Sequence, residues 1–182
     1  MKRKVSQMRA ISKTVSAATC AVLAVGVALP ADANVRRFTD SHRDSDSGVD
    51  IWSVRVDNST AVRNEVRIRV KQDDVRFVGS VTIYIDTKPT NPGPEFALFG
   101  AAGSEYTFNH TKSWTETRGQ VPFRCGYRMR INETTDVTRA VLPRRCLGEP
   151  GAVRVAVHAV GGVDDGSDWA KARRTFFGFV RR

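Results

Sequence analysis

The chain has 182 residues, a formal net charge of +10, and only three cysteines and three histidines. So few cysteine and histidine ligands, none of them closely spaced, exclude the usual kind of zinc site. Beyond residue 33 no apolar run approaches the length of a membrane span.

The first 33 residues have the pattern of a secretory signal peptide. Five basic residues precede an apolar stretch, Ala17–Leu29, which is too short to span a bilayer as a helix. The small-x-small sequence Ala31–Ala33 follows, as at a signal-peptidase site. We therefore expect cleavage after Ala33 and a secreted, extracellular protein; the alternative is an N-terminal membrane anchor.

The remaining 149 residues are enough for one domain, and they still carry a net charge of +6. Cys125 and Cys146 are the two cysteines left, and in an oxidising compartment we expect them to form a disulfide. Residues 34–48 are polar without a period and are expected to be a flexible arm. Residues 49–182 would then form a single domain.

From residue 49 the chain alternates between apolar and polar residues. Val66, Ile68 and Val70 alternate with arginine and lysine, for example, and other runs with this period begin at Trp52, Val81 and Val153. Each run is rich in β-branched residues and ends in turn formers. Seven to nine such strands predict an all-β fold, an antiparallel sandwich of two sheets.

The expected disulfide predicts a hairpin. Folding the chain at Thr135–Asp136 pairs Tyr127–Ile131 with Ala140–Arg144 and brings Cys125 opposite Cys146. Met129 then faces the core. The disulfide would staple the open end of this hairpin, although a slip in register is possible.

The stretch YIDTKPTNPGPEF, residues 84–96, contains three prolines and a glycine between two apolar runs. Prolines are not tolerated in central strands, so this segment is expected to connect two strands. The alternative is a loop in which Asp86 and Glu95 hold a calcium ion.

The sequences IYIDTKPTNPGPEF, VLPRRCLGEPGAVRVAVHAV and DWAKARRTFFGFV resemble a group of secreted proteins from high-GC Gram-positive bacteria (actinobacteria) without an assigned activity. The strand followed by Asp-Thr is also similar to the DOMON and family-9 carbohydrate-binding-module sandwiches. The second resemblance implies sugar or haem as ligands. Haem ligation of the DOMON kind needs an axial Met and His, and it is disfavoured because Met129 is expected in the core.

No catalytic motif is present: the chain lacks G-x-S-x-G, H-E-x-x-H and the nucleotide-binding glycine patterns. Glu95, Glu105 and Glu116 lie in one region, but no two of them share a motif that would pair them for glycoside hydrolysis. An enzyme is therefore not expected. Two acidic segments, DSDSGVD (44–50) and VDDGSD (163–168), could offer carboxylates to calcium, but they depart from the EF-hand pattern and are interpreted as ordinary loops.

Basic and aromatic residues are the remaining candidates for a binding site. Basic residues alternate with the apolar set; they are Arg55, Arg67, Arg69, Lys71, Arg128, Arg130 and Arg154. If they share one sheet they form a cationic patch for acidic polymers; otherwise they only solvate the outside of the sandwich. Tyr84 is expected to point away from the core, Trp114 could stack on a sugar ring, and Trp52 aligns with core valines.

These observations lead to the expectation of an exported, non-catalytic binding module for a carbohydrate or an anionic cell-envelope polymer. A protein-interaction module, such as an inhibitor or a subunit of an envelope complex, is the alternative, and an unmarked hydrolase is a third. Nucleic acid is a permitted but disfavoured partner, and no cofactor is expected apart from possible calcium.

Overall fold

The computed structural model describes residues 34–182 apart from 46–48, 61–62, 76–77, 92, 105, 115–123 and 162–165. Within these residues, two antiparallel sheets of five and six strands form the molecule, and no α-helix is present. The predicted all-β fold with two antiparallel sheets is confirmed. The leader and Glu105 and Glu116 lie outside the described residues.

The five-stranded sheet has the order β1-β2-β3-β8-β7. Its strands are β1 (Val35–Thr39), β2 (Ile51–Asp57), β3 (Glu65–Gln72), β7 (Arg128–Asn132) and β8 (Val137–Pro143). The six-stranded sheet has the order β10-β9-β4-β5-β6, with β11 also paired to β9. Its strands are β4 (Val78–Asp86), β5 (Phe96–Ala101), β6 (Thr107–His110), β9 (Ala152–Gly161), β10 (Gly166–Trp169) and β11 (Val180–Arg181).

The core lies between the sheets and is built from the alternating apolar residues. Ile68 of β3, Ile83 of β4 and Val155 of β9 are at most 2% exposed and belong to one cluster. Alternate residues of a strand point to opposite faces, so burial of one set places the intervening residues on the outside. This alternation positions the basic residues of the five-stranded sheet.

The first strand corrects the expectation of a flexible arm over 34–48. Val35–Thr39 pairs with β2 along its whole length, and the Phe38 ring stacks on Phe177 at 4.6 Å. Only Val35 and Phe38 are apolar in VRRFT, so the alternation that marks a strand is missing there. β1 is an edge strand, and edge strands often carry charged side chains because these discourage pairing with another chain.

The disulfide between Cys125 and Cys146 and the hairpin of β7 and β8 are confirmed, but the register differs by two residues. Met129 pairs with Ala140, where the symmetric fold predicted Leu142. Cys146 lies in a 3-10 helix, Arg144–Leu147, that follows β8, and this helix absorbs the difference. A slip of two preserves the faces, so Met129 is in the core, 6% exposed, as predicted.

The segment after β4 is a connector, as predicted. Ile85 pairs with Phe96 in the antiparallel β4–β5 ladder, and the prolines lie between the two strands. The Glu95 N–H donates to the Ile85 carbonyl at 3.0 Å and closes the connection.

Candidate functional site

Five arginines lie directly opposite one another across the whole five-stranded sheet. Arg37 pairs with Arg55, Arg55 with Arg69, Arg69 with Arg139, and Arg139 with Arg130. We call this set the arginine row. All five side chains are exposed on the outer face. With neighbouring strands about 4.8 Å apart, the row extends over roughly 19 Å.

The arginine row is not neutralised by carboxylates among the described residues. Arg37 donates a hydrogen bond to the Ser53 hydroxyl at 3.2 Å, and within the described part of the chain none of the other four forms an ion pair. The adjoining basic residues differ in this respect. Arg67 and Arg128 both reach the Glu65 carboxylate, at 3.3 and 3.2 Å.

Lys71 also has partners, since it lies 3.5 Å from Asp136 and donates to the Thr135 carbonyl at 3.0 Å. The free positive charge of this face is therefore concentrated in the row.

The outer face is grooved between the arginine side chains. One depression of about 440 Å³ lies between β1, β2 and β3 and is lined by Arg37, Arg55, Arg69 and Lys71. A second, of about 210 Å³, continues beside Arg69 and Arg139. Linear anionic groups lying along these grooves would meet guanidinium donors on both sides.

This arrangement works against stability. Like charges directly opposite each other on neighbouring strands are destabilising, and the row contains four such contacts. Charges that protect a sheet from aggregation belong on edge strands, yet Arg55, Arg69 and Arg139 are on interior strands. Neither solvation nor edge protection calls for five arginines in register, so the row is the best candidate for a binding surface.

Arg154 is a correction to the predicted patch, because it lies on β9 of the other sheet. Its Nε donates to Asp86 Oδ2 at 2.6 Å, and its guanidinium packs over the rings of Phe176 and Phe179. A guanidinium that is ion-paired and covered by two rings has a structural role.

Tyr84 lies on the outer face of the six-stranded sheet, as its alternation predicts, but it is only 4% exposed. Its ring stacks on Trp169 with centroids 5.6 Å apart, and its hydroxyl donates to the Trp114 carbonyl at 2.6 Å. Burial raises the pKa of this hydroxyl. Trp169 and Trp114 therefore cover the ring, and little of its surface is left for a ligand.

Trp114 is half-buried and packs against Phe176, with centroids 4.7 Å apart. It is the last described residue before the gap at 115–123. Its role in stacking on a sugar stays a prediction, and its ring contacts Tyr84, Trp169 and Phe176 within the protein.

Calcium binding by Asp86 and Glu95, the alternative to a plain connector, stays a prediction, and both carboxylates have donors within the protein. Asp86 is fully buried; besides Arg154, its carboxylate accepts the Lys88 N–H at 2.8 Å. Glu95 accepts the Thr87 N–H and the Asn91 side-chain amide at 2.8 and 2.7 Å. Both carboxylates are held by donors that stabilise the β4–β5 connector, and burial raises the pKa of Asp86 despite the pairing.

Trp52 departs from the predicted core position because β2 contains an irregularity between Ile51 and Ser53. The ring is half-buried; it packs on His42 at 4.1 Å and its indole N–H donates to Asp50 Oδ2 at 3.0 Å. Asp50 belongs to a group of carboxylates at this end of the sandwich.

Sequence reasoning found Arg55, Arg69 and Arg130 but missed the two other members of the row. Arg37 lies in the segment expected to be flexible. Arg139 alternates with Thr138 and Ala140 in β8, and this alternation could have identified it.

Comparison with known proteins gave no matching family model, no matching curated protein and no matching solved structure. Among the described residues, no helix has the length and hydropathy required to cross a bilayer.

Proposed function

We propose that this protein is an exported, non-catalytic binding protein whose arginine row recognises an anionic polymer of the cell envelope. The observation that carries the proposal is the alignment of five exposed arginines across five strands without carboxylate partners among the described residues.

The chemistry of the arginine side chain suits repeated phosphate or carboxylate groups. A guanidinium is always charged and offers a planar set of donors that matches these anions in a bidentate way. A row of about 19 Å is longer than a single small anion and suits several groups along one chain. The shallow grooves beside the row match an extended ligand better than a compact one.

An anionic polymer is a better ligand than a neutral sugar for this surface. Stacking on sugar rings would need exposed aromatic faces, whereas Tyr84 is buried and Trp114 packs on Phe176. The charge of the row, in contrast, is exposed and has no carboxylate partner in the described ranges of the chain.

The test is co-sedimentation of the purified protein with cell walls, at about 20 mM and about 500 mM salt. The Debye length falls from roughly 20 Å to roughly 4 Å over this range, so binding by the row should be lost at the higher concentration. The double variant Arg55→Glu/Arg69→Glu should abolish binding at low salt.

A matched control is Arg173→Glu/Arg181→Glu, which makes the same charge change at exposed residues outside the five-stranded sheet. It should bind walls nearly as well as the wild type. Equal losses in the two double variants would show that net charge alone matters and would contradict a role for the row. Wild-type binding that survives 500 mM salt would point instead to a sugar, and absence of binding would point to a protein partner.

A further inference from the structure

Three aspartates meet at one end of the sandwich, and the charge of a fourth acts on them; we call the four the acidic cluster. Oxygens of Asp44, Asp50 and Asp168 all lie within 4.8 Å of one another. Asp40 is the fourth member, and its charge acts on Asp168 together with those of the other two. Asp44 and Asp50 come from the loop before β2, whereas Asp168 lies in β10. The fold thus brings Asp168 of one acidic segment close to Asp44 and Asp50 of the other, although the sequence pattern indicated two separate loops.

The members of the cluster are held in place by backbone and ring donors. The Ile51 N–H donates to Asp168 Oδ2 at 2.6 Å, and the Arg43 N–H donates to Asp50 Oδ2 at 2.9 Å. The Lys171 N–H donates to Asp40 Oδ1 at 2.7 Å. These donors fix one carboxylate oxygen each of Asp168, Asp50 and Asp40.

Among the described residues, the second oxygens of two members have no donor. Asp50 is only 3% exposed, and its Oδ1 is buried without a hydrogen-bond partner; Asp40 Oδ2 is in the same state. A buried charged oxygen without a partner is costly, and several carboxylates in close contact repel each other. The His42 ring lies 3.8 Å from Asp50 Oδ2 and forms an ion pair with it only when protonated. A cation held between Asp44, Asp50 and Asp168 would give the free oxygen of Asp50 a partner and would compensate the charge.

We propose that the acidic cluster binds calcium, with Asp44, Asp50 and Asp168 as ligands and Asp40 beside them. Calcium prefers oxygen ligands and accepts irregular geometry, whereas magnesium demands an octahedron and zinc prefers nitrogen and sulfur.

The first test is thermal unfolding of the protein, purified after expression of the full 182-residue chain, in about 5 mM calcium, in magnesium and in EDTA. Extracellular calcium sites have dissociation constants of about 0.1–1 mM. At 5 mM, calcium should therefore shift the unfolding equilibrium about 6- to 50-fold and raise the midpoint by several degrees. Magnesium should have a much smaller effect.

Asp50→Asn and Asp168→Asn should remove the calcium response, since asparagine keeps an oxygen for the N–H donors but loses the charge. Asp44→Asn is a third variant, chosen because Asp44 is exposed. Its substitution removes no buried carboxylate, so the variant protein should still fold. The matched control is Asp73→Asn, an exposed aspartate in another acidic depression, which should respond to calcium like the wild type.

The second test uses terbium, which replaces calcium and becomes luminescent when it lies beside an excited indole. Trp52 donates to Asp50, so terbium bound in the cluster should be sensitised through this ring and displaced by calcium. Trp52→Phe should lose the luminescence but keep the calcium-dependent midpoint. A wild-type midpoint unaffected by calcium, or an equal loss of response in Asp73→Asn, would overturn the proposal. If calcium leaves the wild-type midpoint unchanged, the carboxyl groups of the cluster would instead share protons with one another.

Discussion

Reversing the charge at the centre of the arginine row should increase stability while it weakens binding. Arg69 lies between Arg55 on β2 and Arg139 on β8, so Arg69→Glu converts two repulsive contacts into two attractive ones. Cross-strand charge pairs contribute roughly 0.2–1 kcal/mol each, and the two together should give about 0.5–2 kcal/mol. Glutamate fits strands less well, which subtracts a few tenths on a scale spanning about 1 kcal/mol. We expect a net gain of about 0.5–1 kcal/mol.

The assay is urea unfolding at low and high salt, with Arg69→Gln as the control. Glutamine removes the charge without adding attraction, so its gain should be about half as large. Both gains should shrink at high salt because exposed charges are screened. If Arg69→Glu is less stable than Arg69→Gln at low salt, or if salt does not change the difference, the arginines do not repel one another. The five arginines would then not act together as one continuous region of positive potential.

Three further predictions concern other parts of the molecule. Arg144→Ala should lower the free energy of unfolding, measured by urea unfolding, by about 3 kcal/mol or more. The fully buried guanidinium donates to the backbone and side-chain oxygens of Asn58, and its loss would leave these oxygens without a donor. Replacing both Cys125 and Cys146 by alanine should lower the free energy of unfolding by about 3 kcal/mol, because the unfolded chain gains entropy without the disulfide. Urea unfolding measures this loss, and an unchanged urea midpoint would contradict it. Burial, and then a nearby arginine, lower the pKa of His158 below 6.5 in the folded protein. The contribution of the neutral ring to stability is therefore complete above pH 6.5 and is lost as the pH falls towards the folded pKa. NMR titration of the ring should give a pKa below 6.5, and His158→Gln should lose less stability than the wild type on acidification.

Local pattern was sufficient to predict the strands and their faces. The period-two alternation identifies β3, β4 and β9 because their inward residues are β-branched and apolar. The hairpin shows what this signal leaves open. A slip of two residues keeps every side chain on its face, so Met129 was placed in the core correctly even though its partner was wrong.

The sequence could not predict features that depend on contacts between distant segments or on local irregularity. Arg37 belongs to a strand with two apolar residues, and only pairing with β2 shows that it continues the row. Trp52 leaves the core because the ladder is irregular beside it, which alternation cannot anticipate. The acidic cluster depends on a hydrogen bond between Ile51 and Asp168, 117 residues apart, and no local pattern specifies that approach.

A contact between Lys71 and Trp52 connects the two proposed sites through side chains, and it gives a measure of how strongly they can influence each other. Lys71, beside the arginine row, lies over the Trp52 ring at 5.3 Å, and the same ring donates to Asp50 in the acidic cluster. An exposed cation–π contact contributes about 0.5–1 kcal/mol, which limits the coupling to about two- to fivefold in affinity. Wall binding measured in calcium, against the same concentration of magnesium as a control for ionic strength, should therefore differ by no more than about fivefold. A larger difference that persists in Lys71→Met would mean that calcium bridges the polymer to the protein directly, and the two surfaces would then be one site.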